Sequence, residues 1–337
     1  MPCAYVETAG SRVRLESERL IVAPPRDPET ETRAEETHIP LFNLERVLLG
    51  EQVQITTQAV CALLRRGIPL GYFGWKGDFL GAAESPVSRH SGTRLQQFER
   101  TREGDFCLGI SRRLIMAKIA NQRRLLQRLN NTRERATAGE IAAVGERESA
   151  AERAASTGEL RGIEGVAAAR YFSLWSRFLP EAFPFERRSS RPPRNAVNAC
   201  ISYLAAIVHA ELASALHQQG LDAGVGCLHA TSDGRWALAL DLMEPFRPTV
   251  VEALTVRLFN LGILAAGDFE TREPGAVYLA AGGKRKLLHQ YESRVQREFF
   301  AEHLGHRTTV RKQYAAAAAA FGHALAEPDR FRPFRLN

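Results

Sequence analysis

Apolar positions alternate with polar ones through the first quarter of the chain. They then shift to a spacing of three and four, which predicts strands followed by helices. Arg12 to Val22 shows partial alternation and reads as strand, and the polar, proline-containing stretch Pro24 to His38 reads as a loop. Ile39 to Leu49 predicts one or two strands ending at Gly50, and Gln52 to Ile55 another. Thr56-Thr57-Gln58 then leads into a short helix carried by Ala59, Leu63 and Leu64 that stops at Gly67. Ile68 to Phe73 is a further strand, Trp75-Lys76-Gly77-Asp78 a tight turn, and Phe79-Leu80 the start of the returning strand. From about Pro86 the period changes. Leu108, Leu114, Ile115, Ile119, Leu125, Leu126 and Leu129 form an apolar stripe flanked by basic residues, which predicts a helix. Asn130 to Leu160 is charged, alanine-rich and broken by glycines, and predicts one or two exposed helical turns with loops. Further helices are expected at 164–177, 197–218, 248–263, 283–304 and 308–326, interrupted by short extended pieces at Gly226–His229 and Trp236–Leu240. The expected class is α+β: a small β-rich domain over residues 1–85, then a larger, mainly α-helical domain over 86–337.

Composition narrows the partners only slightly. A chain of 337 residues has room for two cores. The net charge of +7 and pI near 9.4 are compatible with nucleic acid, acidic small molecules or a membrane surface. The basic excess is concentrated, since Val87 to Arg135 holds 12 Lys or Arg against 4 Asp or Glu. Cys3, Cys61, Cys107, Cys200 and Cys227 form no Cys-x-x-Cys pair, which argues against a zinc knuckle or a redox dithiol. No positively charged segment followed by an apolar one opens the chain, and Ala315–Ala320 is far too short to span a bilayer. A soluble, cytoplasmic protein that does not bind membranes is therefore expected.

The run Ala239-Leu240-Asp241-Leu242-Met243-Glu244-Pro245-Phe246-Arg247-Pro248 is unusual. Two carboxylates three residues apart lie among apolar neighbours, which suits acids at the floor of a site, where a divalent metal is the usual reason. In a helix both would share a face. If the chain is still extended at Asp241, only one points inward. The competing reading is a capping box with Asp241 as N-cap, although Pro245 fits poorly in a regular helix. Glu164 stands between Gly162 and Gly165, a frame expected at a closely packed helix N-terminus, where the acid could equally be offsetting the helix dipole. His229, in Cys227-Leu228-His229-Ala230, reads as a ligand or as a satisfied core histidine. Arg187, Arg188, Arg191 and Arg194 lie in a proline-stiffened stretch that suits phosphate or is a solvated loop.

In this order, Glu164 in its glycine frame, His229 and the Leu-Asp-Leu-Met-Glu-Pro-Phe-Arg-Pro run resemble the CRISPR-associated adaptation integrase. That family supplies the metal-dependent DNA endonuclease subunit of the spacer-capturing complex. The resemblance covers nearly the whole chain. It includes Gln-Ile-Thr-Thr-Gln-Ala and Arg-Gly-Ile-Pro within Gly50–Gly81, and Arg191-Pro192-Pro193 through Asn198-Ala199. Phe269-Glu270 and Gly282-Gly283-Lys284-Arg285 through Tyr291-Glu292 complete the ordered set. The resemblance implies Glu164, His229 and Glu244 as metal ligands with Asp241 as an accessory acid beside them. The family carries Asp or Glu at the position of Glu244. Near Arg194-Asn195 it commonly has an acid that this chain lacks.

A mixed site of two carboxylates and one imidazole suits Mg²⁺ or Mn²⁺. The expected reaction is phosphodiester transesterification, in which the 3′-hydroxyl ends of captured double-stranded DNA join CRISPR repeat DNA. Water in place of the hydroxyl gives hydrolysis. Arg112, Arg113, Arg123, Arg124 and Arg128 are candidates for backbone phosphate contacts on a helical face, with Arg187, Arg188 and Arg191 nearer the metal and Arg247 nearest the reacting phosphate. Ordinary solvation of a helix explains the first group equally well. Tyr171 and Tyr203 are expected to pack or to position DNA. The resemblance also implies a homodimer formed through the N-terminal domain, two such dimers binding a small partner dimer of ferredoxin-like fold. A stand-alone nuclease for branched DNA and a non-catalytic DNA-binding scaffold remain as alternatives.

Overall fold

The computed structural model describes residues 3–25, 35–75, 79–83, 90–302 and 305–336. The chain divides into two compact units, Met1–Val87 and Ser88–Asn337.

The first unit holds β1 (Cys3–Val6), β2 (Arg12–Glu16), β3 (Arg19–Ala23), β4 (Thr37–Pro40), β5 (Arg46–Gly50), β6 (Gln54–Ile55), α1 (Thr57–Arg65), β7 (Leu70–Phe73) and β8 (Phe79–Ala83). They form two four-stranded sheets, ordered β4-β3-β2-β6 and β1-β5-β7-β8. The β2–β3 hairpin closes on Ser17-Glu18, and Ser17 takes φ +53, the left-handed setting that two-residue hairpin turns require. Strands β1, β5 and β7 run parallel. Parallel neighbours need crossovers, and β2–β4 and β6–α1 supply them. Alternation buries Val13, Leu20, Val47, Leu49 and Leu70, and α1 adds Ala59, Ala62 and Leu63 to the same core. The Thr56 hydroxyl caps α1 by accepting from the Ala59 amide, and Gly67 at φ +65 follows its end. Strand β1 had no alternation long enough to predict it. The expected turn at 76–78 and residues 26–34 of the expected loop lie outside the described residues, while Thr37 and His38 already belong to β4.

The second unit is mainly helical: α2 (Ser91–Arg100), α3 (Gly104–Arg133), α4 (Ala138–Gly145), α5 (Arg147–Arg153), α6 (Thr157–Trp175), α7 (Ala196–Gln218), α8 (Ala237–Met243) and α9 (Ala253–Asn260). Then come β9 (Phe269–Glu273), β10 (Ala276–Leu279), α10 (Ala281–Gln296), β11 (Glu298–Ala301), β12 (His306–Thr309) and α11 (Val310–Ala324). The 30 residues of α3 make a rod about 45 Å long. Helix α7 is long and apolar enough to cross a membrane by composition, but it is a core helix, buried from Val197 to Cys200 and again from Ala210 to Leu216.

Several expectations are corrected. Residues 130–160 are not merely exposed turns: Ile141, Val144, Ala151, Ala154 and Leu160 are buried, because α4 and α5 pack against α3 and α6. Trp236–Leu240 is not extended; α8 begins at Ala237. The helix expected at 283–304 ends at Gln296, after which β11 and β12 form a hairpin. The helix expected from Pro248 opens instead with a wide π-type turn over Arg247–Glu252, with Pro248 in its first turn, where no backbone donor is needed.

Candidate metal and DNA-processing site

The floor of the site is α8 and the turn after it. Asp241 is fully buried and Glu244 nearly so, at 0% and 5% exposure. The residue before α8 is Trp236 and Asp241 lies inside the helix, so the capping-box reading is excluded. Both carboxylates therefore lie on one helical face, but they meet different partners.

Asp241 holds the loop before it. Its Oδ2 accepts from the amides of Cys227 (2.7 Å) and Leu228 (2.9 Å), and its Oδ1 from the amide of His229 (2.9 Å). The same Oδ1 lies 2.6 Å from His229 Nδ1. A carboxylate that receives Nδ1–H fixes the imidazole tautomer and leaves the Nε2 lone pair for a ligand. Gly226 makes this packing possible, since a Cβ there would sit 2.6 Å from Asp241 Oδ2 and 2.9 Å from backbone atoms of Ala237 and Leu238. Arg161, one turn before Glu164 on α6, secures the loop from the other side by donating Nε to the Leu228 carbonyl at 3.1 Å. Beneath it, Leu228 packs with Ile115, Ile119, Leu160 and Ala167.

Glu244 and Glu164 meet on a residue the sequence reading passed over. Lys118 of α3 donates Nζ to Glu164 Oε1 at 2.6 Å and also to Glu244 Oε2. Arg247 Nε donates to the other oxygen of Glu244 at 3.1 Å. Burial alone would raise the Glu244 carboxyl, but Lys118 and then Arg247 outweigh it and hold it at about 2. His229 also bears electrostatically on Glu244. Burial opposes the charge on Lys118, and the two glutamates reverse that and raise its pKa. Three residues further along α3, Asn121 is buried and donates to the carbonyls of Pro245 (2.8 Å) and Phe334 (3.1 Å), which pins the turn after Glu244. Phe246 closes the floor, stacked on Phe334 with ring centroids 4.7 Å apart.

The signal for Lys118 was present. It sits on the apolar stripe of α3 between Leu114 and Leu125, in phase with buried positions, where a lysine needs a reason. For Glu164 the expected packing was wrong. Helix α6 starts at Thr157, capped by the Ser156 hydroxyl, so Glu164 lies two turns inside it. A Cβ added at Gly162 or Gly165 would meet open space, so these glycines leave the helix surface beside Glu164 bare.

The predicted phosphate-binding arginines fall into two groups. Arg123, Arg124, Arg128, Arg187 and Arg191 are exposed. Others carry contacts inside the protein. Arg112 donates to the Ala154 carbonyl (2.9 Å from Nε), and Arg113 donates to the Pro328 carbonyl and pairs with Asp329 at 2.8 Å. Arg188 donates to the Ser189 carbonyl (2.7 Å), Asn198 Oδ1 (2.8 Å) and Ser202 Oγ (3.2 Å). Burial first, and then Arg247, push its pKa down to about 10. Tyr171 is fully buried and donates to Glu252 at 2.9 Å, a packing role, and Tyr203 lies under Lys284.

Among the described residues, no three His, Cys, Asp or Glu side chains already form a cage for an ion. The donor set nevertheless fits one. Two carboxylates converge on a cation, here the Lys118 ammonium, and the His229 imidazole, held at Nδ1 by Asp241, bears electrostatically on Glu244. Oxygen donors with a single nitrogen match Mg²⁺ or Mn²⁺ rather than a thiolate-seeking ion.

A family profile described as "CRISPR associated protein Cas1" matches residues 4–293. The chain is 33% identical over 332 residues to a CRISPR-associated endonuclease Cas1 of Thermus thermophilus, covering 98% of each. It is 35% identical over 306 residues to a Cas4 exonuclease/Cas1 endonuclease fusion of Geobacter sulfurreducens, covering 88% of this chain and 52% of the fusion, so it spans about half of that relative. In fold it resembles a casposase solved with its integration product, with a TM-score of 0.86, 22% identity, and 97% and 91% of the two chains covered.

Proposed function

The chain belongs to the Cas1 family of CRISPR-associated proteins, and from that premise we propose that it is a divalent-metal-dependent DNA integrase and endonuclease. It would join the 3′-hydroxyl ends of captured double-stranded DNA to CRISPR repeat DNA by transesterification. The observation that carries the reading is the convergence of Glu164 and Glu244 on one cation, with His229, held by Asp241, bearing electrostatically on Glu244.

Glu164, Glu244 and Nε2 of His229 would hold Mg²⁺ or Mn²⁺. An ion there supplies neutralisation of the scissile phosphate and of the charge growing on the departing 3′ oxygen. The chain's own residues prepare that event. Asp241 is the positioning acid: it supports His229 and the 227–229 backbone with both oxygens, which leaves direct ligation to Glu244. Arg247 orients Glu244 through one oxygen and keeps further guanidinium donors for a phosphate. The bare surface at Gly162 and Gly165 gives a DNA backbone room beside Glu164. The exposed Arg123, Arg124, Arg187 and Arg191 would bind flanking phosphates without reading sequence. In joining, the incoming 3′-hydroxyl would give its proton to solvent and form the new phosphorus–oxygen bond as the bond to the old 3′ oxygen breaks, and that oxygen would take up a proton from solvent and leave as a hydroxyl. Water in the same place gives cleavage.

Family membership supports a cytoplasmic homodimer built through the N-terminal unit, two such dimers flanking a small ferredoxin-like CRISPR-associated partner. Two active subunits at a fixed separation would act on the two ends of one captured duplex.

The test incubates the protein with the partner subunit, repeat DNA, a duplex with free 3′ ends and Mn²⁺. Joined products are expected, and they disappear in Glu164→Ala and His229→Ala. Cleavage without joining would point to a stand-alone nuclease, and undiminished joining in both variants would remove these ligands from the account.

A further inference from the structure

Lys118 is the one described cation that touches both glutamates of the proposed metal site. It is an odd residue for its position. Its side chain is 9% exposed, and it sits on the stripe of α3 that packs against the rest of the unit. A buried ammonium is tolerated only with close counterions, and here Glu164 and Glu244 provide them. The dependence is mutual. Without a cation, Glu244 and the part-buried Glu164 would face one another with no charge between them, and Arg247 reaches Glu244 alone.

We infer that Lys118 is a resident counterion that occupies the metal position in the metal-free protein and must leave it when a divalent ion binds. This rests on the proposed metal site and deepens it. The oxygens to which Lys118 donates belong to the two residues assigned as carboxylate ligands. An ammonium in contact with those oxygens would stand against the incoming ion, since like charges that close repel strongly in a site shielded from water. Lysine suits a displaceable role, because its four-carbon stem rotates freely and its compact charge needs no fixed fork geometry. Two consequences follow. The acids stay assembled before the ion arrives, and metal affinity is set below what the ligands alone would give, because binding competes with an internal ion pair. Lys118 is thus a positioning residue that also tunes the metal affinity.

The experiment measures Mn²⁺ binding to the full chain by the loss of the free-ion electron paramagnetic resonance signal. It compares wild type, Lys118→Met, Lys118→Gln, Lys118→Arg and Glu164→Gln, with thermal unfolding in chelator and in Mn²⁺ alongside. Removing the competing cation should tighten Mn²⁺ binding by about tenfold or more in K118M and K118Q, by the arithmetic of a site freed from a closed state. K118R should bind no better than wild type. In chelator K118M and K118Q should unfold at a lower temperature than wild type, and Mn²⁺ should close most of that gap. A lysine with a merely structural role would leave Mn²⁺ affinity unmoved and the gap the same with and without metal. Unchanged or weaker binding in both K118M and K118Q would overturn the inference. K118Q keeps an uncharged donor one atom nearer the backbone, so the affinity can be read even where K118M fails to fold. If E164Q binds Mn²⁺ as tightly as wild type does, the metal site itself is misassigned. If E164Q does weaken it while the Lys118 variants bind as wild type, only the counterion role is lost.

Discussion

Substituting Asn for Asp241 separates support from ligation. Asp241 is fully buried and accepts from three backbone amides and from His229 Nδ1, two contacts on each oxygen. In Asp241→Asn one oxygen becomes an amide that donates. With the amide in place of Oδ2, two backbone donors face another donor; in place of Oδ1, the His229 amide does, and His229 Nδ1 must give up its proton to accept, which moves that proton to Nε2. Hydrogen bonds to a charged group contribute about 1.5–3 kcal/mol each, so losing one or two costs roughly 1.5–6 kcal/mol before relaxation. That is a large share of the stability of an ordinary domain, about 5–15 kcal/mol. Urea unfolding in chelator should therefore show D241N with a much lower midpoint. Mn²⁺ affinity should fall as well, by about 10–100-fold, since the partner that orients a ligating histidine is gone. His229→Ala makes a control. It removes the ring but leaves the three amide bonds on Asp241, so its stability loss should be about 1.5–3 kcal/mol, the scale of one hydrogen bond to a charged group, while its metal affinity falls. A D241N protein that unfolds at the wild-type midpoint and binds Mn²⁺ normally would refute the assignment of Asp241 as the residue that holds the 227–229 loop.

Three other outcomes follow from the same geometry. The Glu244 carboxyl is held at about 2 against an ordinary 4.5, so ionised Glu244 contributes stability that is fully present above about pH 4.5 and lost as pH falls toward 2. That depression corresponds to about 3 kcal/mol in metal-free protein, and Glu244→Gln should flatten the acid limb of stability against pH; an unaltered limb would contradict the ion pairs with Lys118 and Arg247. Gly226→Ala places a methyl 2.6 Å from Asp241 Oδ2 and 2.9 Å from backbone; overpacking of this kind costs about 1–3 kcal/mol, and calorimetry should show a lowered unfolding temperature together with weaker Mn²⁺ binding. Changing Arg123, Arg124, Arg187 and Arg191 together to Ala should make the logarithm of duplex-DNA affinity less dependent on that of salt, by about 0.9 for each lost phosphate contact. An unchanged slope would assign those arginines to solvent.

The strands and long helices were legible because their periods were: alternation from Arg12 to Val22, and the three-and-four spacing through Leu108–Leu129, which continues at both ends into the 30 residues of α3. Residues 130–160 were misread because charge and alanine hide the few apolar positions, such as Ile141 and Val144, that two short helices bury. The acidic run drew attention for a sound reason, since acids among apolar residues are buried for a purpose. Its internal division came only from the family resemblance and not from periodicity: Asp241 and Glu244 share a helical face, and the loop at 227–229 and the lysine on α3 give them separate partners. Lys118 was hidden by the basic residues around it, which made a buried cation look like one more member of a solvated face. Arg112 and Arg113 were hidden in the opposite sense, looking like free surface charge while donating to Ala154 and Pro328, distant in sequence.

The most direct test of the account is an anomalous-difference map from crystals of the full chain soaked in Mn²⁺. The account predicts one strong peak bonded to the carboxylates of Glu164 and Glu244 and to Nε2 of His229, with Asp241 still on Nδ1 and the Lys118 ammonium moved off both glutamates. A peak held by other residues, or none at this position from protein that joins DNA in Mn²⁺, would contradict it.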